Sequence, residues 1–164
     1  MEIERKFTIK QLPADLERYP FHIIEQAYLT TDPVIRVRRE DDSYYMTYKG
    51  KGTSLAHEEY NLPLTKEAYD TLKAKADGNL IAKKRYLIPI KDADLSEEYK
   101  TLLKGESLMI ELDIFEPPFA PLIIAEVEFP SVEAANAYIP ADWFLEDVTD
   151  DPAYHNAKLS RRSF

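Results

Sequence analysis

The feature that most constrains this chain is an alternation of apolar and charged residues with a period of two, repeated in short segments along its length. Period two is the repeat of a β-strand, whose successive side chains point to opposite faces. Segments near 2–9, 23–30, 34–40, 43–49, 56–64, 81–89, 107–115 and 122–129 read as strands. Helices are expected where a capping residue precedes helical spacing. Thr65 can cap 66–76, Ser96 can cap 97–104, and Ser131 can cap 132–139 before Pro140 stops it. Asp151-Pro152 can open a short C-terminal helix. Eight strands with few helices predict an α+β, mainly β chain built as an antiparallel barrel or sandwich.

The charged faces are sorted by strand. Glu2, Glu4 and Lys6 share a face, as do Glu111 with Asp113 and Glu126 with Glu128; Arg36 pairs with Arg38, and Lys83 with Arg85. Lys49 is in phase with Tyr45 and Thr47. The fifth segment is ambiguous, but placing Tyr60 and Leu62 on the apolar side sends His57, Glu59 and Asn61 to the polar one. A sheet with one solvated face explains plain alternation. Two features favour an enclosed charged lumen: acid pairs fall on strands one, seven and eight and base pairs on three and six, and the opposite faces (Ile110, Leu112, Ile114) are apolar enough to be covered by helices. Such a lumen is costly unless water, metal or a charged ligand fills it.

Composition narrows the options. At 164 residues with 45% hydrophobic and 31% charged, the chain suits one globular domain spanning 1–164. No stretch approaches the ~20 apolar residues of a membrane helix, the start carries no apolar signal region, and there is no cysteine, so a cytoplasmic protein without membrane partners is expected. A net charge of −9 argues against nucleic-acid binding, although a local basic cluster can still hold a small polyanion.

Carboxylate pairs at i, i+2 suit Mg²⁺ or Mn²⁺, and Arg and Lys suit phosphate oxygens. Acids and bases on opposite walls match the needs of phosphoryl transfer.

The chain also resembles the triphosphate tunnel metalloenzymes, or CYTH domain proteins. The resemblance starts at Glu2-Ile3-Glu4-Arg5-Lys6-Phe7 and continues through Ile24-Glu25-Gln26-Ala27-Tyr28-Leu29, Arg36-Val37-Arg38, Thr47-Tyr48-Lys49-Gly50 and Lys83-Lys84-Arg85-Tyr86. It runs on through Glu111-Leu112-Asp113-Ile114-Phe115 and Ala125-Glu126-Val127-Glu128-Phe129, and ends at Val148-Thr149-Asp150-Asp151-Pro152-Ala153-Tyr154-His155-Asn156. It implies an eight-stranded antiparallel closed β-barrel tunnel with helices outside. Glu2, Glu4, Glu126 and Glu128 are then metal ligands supported by Glu111 and Asp113, for Mg²⁺ or Mn²⁺, with two ions during turnover. Lys6, Arg36, Arg38, Lys49, Lys83 and Arg85 are implied to bind the triphosphate, with Glu2, Glu4, Lys6 and Glu128 carrying the chemistry.

The implied reaction is hydrolysis of inorganic tripolyphosphate to phosphate and pyrophosphate, by a monomer or homodimer. The alternatives are a class IV-type adenylyl cyclase, a thiamine triphosphatase, or a non-catalytic polyphosphate or nucleotide-triphosphate binder. Where many relatives carry Arg, this chain has His57, which either supplies a cation or leaves that contact absent. His155 and Lys158 fall either near a tunnel mouth or on a solvated helix face; Trp143 and Phe144 read as core or plug, and His22 is given no role.

Overall fold

Nine strands and four helices form around these patterns, in a computed structural model that describes residues 1–164. The strands are β1 (Glu2–Ile9), β2 (Phe21–Thr31), β3 (Val34–Glu40), β4 (Ser43–Gly52), β5 (Ala56–Pro63), β6 (Asp77–Pro89), β7 (Met109–Phe115), β8 (Ile123–Glu128) and β9 (Phe144–Asp147). The helices are α1 (Lys66–Lys75), α2 (Glu97–Leu103), α3 (Val132–Ala137) and α4 (Asn156–Leu159). Thr65, Ser96 and Ser131 each accept a hydrogen bond from the backbone N–H three residues on, which satisfies one orphan donor at the start of each of the first three helices.

All strand pairings are antiparallel, in the order β5-β4-β3-β2-β6-β7-β8-β1, and β1 returns to β5 to close an eight-stranded barrel. At the seam Glu2 lies opposite His57, Ile3 lies opposite Ala56, and the Glu4 N–H donates to the Leu55 carbonyl at 2.9 Å. Beyond that point β5 diverges, and the freed edge of β1 pairs with the unanticipated β9. Between them, the Lys6 N–H donates to the Thr149 hydroxyl and its carbonyl accepts from the Val148 N–H, so few backbone groups on this edge lack partners. Trp143 and Phe144 are core: Phe144 stacks on Phe7 at 4.6 Å, with Trp143 edge-on against it.

Helices cover the outer wall selectively. α2 and α3 bury Phe7, Leu112, Ala125 and Val127 beneath Tyr99, Leu103, Ala134 and Tyr138. α1 places Tyr69 over Ala27 and Val37. Tyr44 and Met46 of β4 pack at the edge of that patch, and beyond them the outer face of β4–β5 is bare. Tyr60 and Leu62 point outward as the alternation predicts, but they are 58% and 56% exposed. A third apolar cluster lies inside the barrel, where Tyr28, Ile81, Phe115 and Ile124 pack against Phe119 and against Leu159 of α4. The C-terminal helix therefore seals part of one barrel end.

Boundaries shift modestly. β2 begins at Phe21, so His22 lies within the strand and bonds Asp41 through Nδ1 at 2.6 Å; β6 begins at Asp77. The expected C-terminal helix divides into a 3-10 turn at Pro152–Tyr154, capped by Asp151, followed by α4.

Candidate active site

Strand phase delivers the charged residues into the lumen. Glu4 faces Glu128 and Lys6 faces Glu126 across β1–β8, Arg38 faces Tyr45 across β3–β4, Lys49 faces Glu59 across β4–β5, and Glu111 faces Glu126 across β7–β8. They enclose a polar cavity of about 210 Å³ that also includes Glu2, Arg36, Arg85 and Asn156. A wider vestibule of about 490 Å³ adjoins it between the β2–β3 turn, the β4–β5 hairpin and α4. Glu4, Lys6, Lys49 and Asn156 line both spaces, so the two are continuous.

The acidic wall is crowded. Burial, with Glu126 and Glu2 nearby, pushes the Glu4 carboxyl up to about 7, against the opposing pull of Lys6. Burial and the Glu2, Glu111 and Glu59 charges also raise Glu128. Burial alone would raise Glu2, but the hydrogen bond from His57 and the charge of Lys49 hold it below the ordinary carboxylate range. Lys6 Nζ bridges the wall at 3.4 Å from Glu126 and 4.0 Å from Glu4. Glu126 is held well below the ordinary range, against the cost of burial, by the charges of Lys6 and Arg85, so Glu4 and Glu128 are the crowded carboxyls whose repulsion a divalent cation would offset. The residues present therefore fit the metal that the carboxylate pattern calls for.

On the basic wall, Arg38 is fixed by two bonds: its Nε donates to Gln26 at 2.8 Å and one terminal nitrogen donates to the Tyr45 hydroxyl at 3.2 Å. Arg36 is equally buried, yet its Nε has no acceptor. Two strands from it, on β5, the buried Oε2 of Glu59 has no hydrogen-bond donor, with Lys49 Nζ remaining 4.0 Å away.

Two expected residues do not reach the cavity. Asp113 is fully buried and taken up by Arg85, at 2.7 and 2.9 Å, and by Lys83 Nζ at 2.7 Å. Lys83 is likewise buried, with its Nζ 5.1 Å from the Phe115 ring centre. Neither lines the lumen. The structure thus differs from the expectation of Asp113 as support for metal and Lys83 as a triphosphate contact. Both sit one layer deeper, where they anchor Arg85, whose guanidinium also reaches Glu111 at 3.0 Å and Glu126 at 3.3 Å. The other expected residues (Glu2, Glu4, Lys6, Arg36, Arg38, Lys49, Arg85, Glu111, Glu126 and Glu128) all line the cavity.

Asn156, Gln26 and Tyr28 were not singled out from the sequence. Asn156 starts α4 and reaches both spaces, while His155 lines the vestibule with Nε2 2.8 Å from the Thr149 carbonyl; Lys158 faces an outer groove beside Asp151 and Tyr154. Gln26 and Tyr28 are in phase along β2, and that phase is the signal that marks them. No helix is long and apolar enough to cross a membrane.

Comparison with known proteins agrees with this geometry. The chain is 35% identical over 163 residues to the inorganic triphosphatase of Nitrosomonas europaea, covering 97% of this chain and 96% of that one. It is 27% identical over 165 residues to the inorganic triphosphatase of Acetivibrio thermocellus, with 99% and 95% coverage. A solved structure of an inorganic triphosphatase superposes with a TM-score of 0.68 at 31% identity, covering 99% of this chain and 96% of that one. A protein from Pyrococcus horikoshii shares the fold, at a TM-score of 0.54, 18% identity and 83% and 82% coverage. Residues 1–129 match the CYTH domain, and with the closed eight-stranded barrel and its charge-lined lumen already described, this chain belongs to the CYTH domain family.

Proposed function

We propose that this protein hydrolyses inorganic tripolyphosphate to phosphate and pyrophosphate in its barrel lumen, using divalent metal. The observation that carries the reading is a pair of unsatisfied buried atoms in the lumen, one on β3 and one two strands away on β5. Arg36 Nε needs an anion and Glu59 Oε2 needs a cation or a donor. A buried polar group without a partner costs about 1–3 kcal/mol, so such a pair persists where a ligand completes it. The names of the full-length relatives support the same chemistry.

In this reading Arg36, Arg38 and Arg85 bind phosphate oxygens along the chain, with Gln26, Tyr45 and Asp113 fixing the orientation of two of the forks. Lys6 and Lys49 stand between the walls and offset charge on the transferring phosphoryl group. Glu2, Glu4, Glu126 and Glu128 would hold the metal. When bound it would polarise the phosphoryl group and lower the pKa of a coordinated water. Mg²⁺ and Mn²⁺ both suit these oxygens, with two ions bound during turnover in this reading. Just one of the fifteen residues lining the lumen is hydrophobic, which favours a bare phosphate chain over a nucleoside or thiamine head group.

A phosphate-release and product screen tests the proposal, using tripolyphosphate, ATP and thiamine triphosphate with Mg²⁺ or Mn²⁺. Tripolyphosphate should give the highest kcat/KM. Preference for ATP with cyclic AMP as product would refute the hydrolase reading and favour cyclisation.

A further inference from the structure

We propose that His57 donates a nitrogen ligand to the divalent ion held by Glu2 and Glu4, giving this tunnel a preference for transition ions such as Mn²⁺ and Co²⁺ over Mg²⁺. The inference rests on the reading of the acidic wall as the metal wall and adds a ligand of different chemistry to it.

Three geometric facts carry it. The barrel seam pairs Glu2 directly with His57, and His57 Nε2 lies 2.8 Å from Glu2 Oε1. One donor atom from each of Glu2, Glu4 and His57 falls within 4.8 Å of the others, the separation expected of atoms that share one ion. The ring is also held in place from behind, because Nδ1 lies 3.3 Å from the Thr53 carbonyl. An imidazole that donates Nδ1–H to a backbone carbonyl keeps the Nε2 lone pair for a metal, the usual arrangement around ligating histidines.

The β4–β5 hairpin is built to deliver this ring. Gly52 adopts φ +144° at a bulge, and a Cβ there would come within 2.2 Å of the Ala56 carbonyl and 2.5 Å of the His57 Cα. The glycine lets the chain fold back tightly enough to aim His57 at β1.

With an ion on Glu2 and Glu4, Glu2 would exchange its contact with His57 for the ion, and the neutral ring, held by Nδ1 on the Thr53 carbonyl, would turn its Nε2 lone pair to the same ion. A nitrogen donor strengthens binding of borderline transition ions and adds little for Mg²⁺, which prefers oxygen.

Pulsed EPR on the full-length protein loaded with Mn²⁺ tests this directly. A directly bound imidazole should give a ¹⁴N modulation, and uniform ¹⁵N-histidine labelling should change it in the unaltered protein. The modulation should vanish in His57→Gln and persist in His155→Gln, whose ring also lines the vestibule. Calorimetric titration of His57→Gln should show Mn²⁺ affinity reduced on the order of tenfold or more, with Mg²⁺ affinity changed far less. Mn²⁺ binding without nitrogen modulation in the unaltered protein would remove His57 from the ligand set and leave the carboxylate wall standing. If the unaltered protein binds no Mn²⁺, both the ligand and the wall fall together.

Discussion

Glu4 sits where the acidic wall is most crowded, and its carboxyl at about 7 has consequences of definite sign. Burial is the largest cause, with Glu126 and Glu2 adding to it. An acid whose folded pKa lies above its unfolded value favours folding in its protonated form. That stabilisation is complete below about 4.5 and is lost as pH rises through 7. Without metal, unaltered protein should therefore lose up to roughly 3 kcal/mol relative to Glu4→Gln between pH 5 and 8. Parallel denaturant titrations of the two proteins measure this, and superimposable pH profiles would contradict it. A bound metal needs the carboxylate, so Mn²⁺ affinity should drop about five- to tenfold from pH 7 to 6. Glu4→Gln keeps the shape without the charge and should lower kcat by orders of magnitude. On the opposite wall, Arg38→Ala removes a guanidinium fixed by Gln26 and Tyr45, and steady-state kinetics should show KM raised and kcat lowered together.

A single strand carries two chemistries because its faces meet different solvents. Leu112 lies between Glu111 and Asp113, fully buried under the outer helices. Leu112→Asp would place an unpaired charge there and should unfold the protein, a loss of several kcal/mol visible by circular dichroism. If it folded normally while Glu4→Gln collapsed, the lumen and the core would have been assigned the wrong way round. In the interior cluster, Leu159→Ala should cost about 2–5 kcal/mol, because Leu159 of α4 fills the sealed barrel end against Tyr28, Ile81 and Phe115. Leu62→Ser on the bare face of β4–β5 should change stability by less than about 0.5 kcal/mol in the same assay. The eight barrel strands were legible from alternation, since each face keeps its character over several residues. Their lumen side was legible only in part. The same phase that carries Lys83 and Arg85 begins with Ile81, and the phase of Glu111 and Asp113 ends in Phe115. The lumen thus turns apolar at one end, a change the charges masked. Depth along the barrel was equally hidden, so Asp113 and Lys83 read like Glu111 and Arg85 although they lie in the layer beneath. β9 escaped notice because four residues are too few to establish a period.

The whole molecule binds an anion despite a net charge of −9. Seven carboxylates (Glu2, Glu4, Glu40, Glu59, Glu111, Glu126, Glu128) and five bases (Lys6, Arg36, Arg38, Lys49, Arg85) line the lumen, a balance of 5 − 7 = −2. The remaining −7 lies elsewhere on the chain, where it aids solubility and opposes the approach of a polyphosphate. Binding therefore depends on the two ligands together. On the proposed reading, tripolyphosphate alone would meet Arg36 but also face an uncompensated acidic wall, and metal alone would leave the arginines without an anion. Both ligands bind only the closed barrel, so together they should stabilise it by mass action. At about 100 times Kd the gain is roughly 2.7 kcal/mol, which for a chain of this size corresponds to a Tm rise of about 5–10 °C. A slowly hydrolysed triphosphate analogue with Mn²⁺ should produce that rise by scanning calorimetry, and each ligand alone should produce much less. Chelator should abolish both the joint rise and turnover. A full rise with the analogue in EDTA would show that the bases suffice to hold the chain, and the carboxylates would then lose their part in substrate binding.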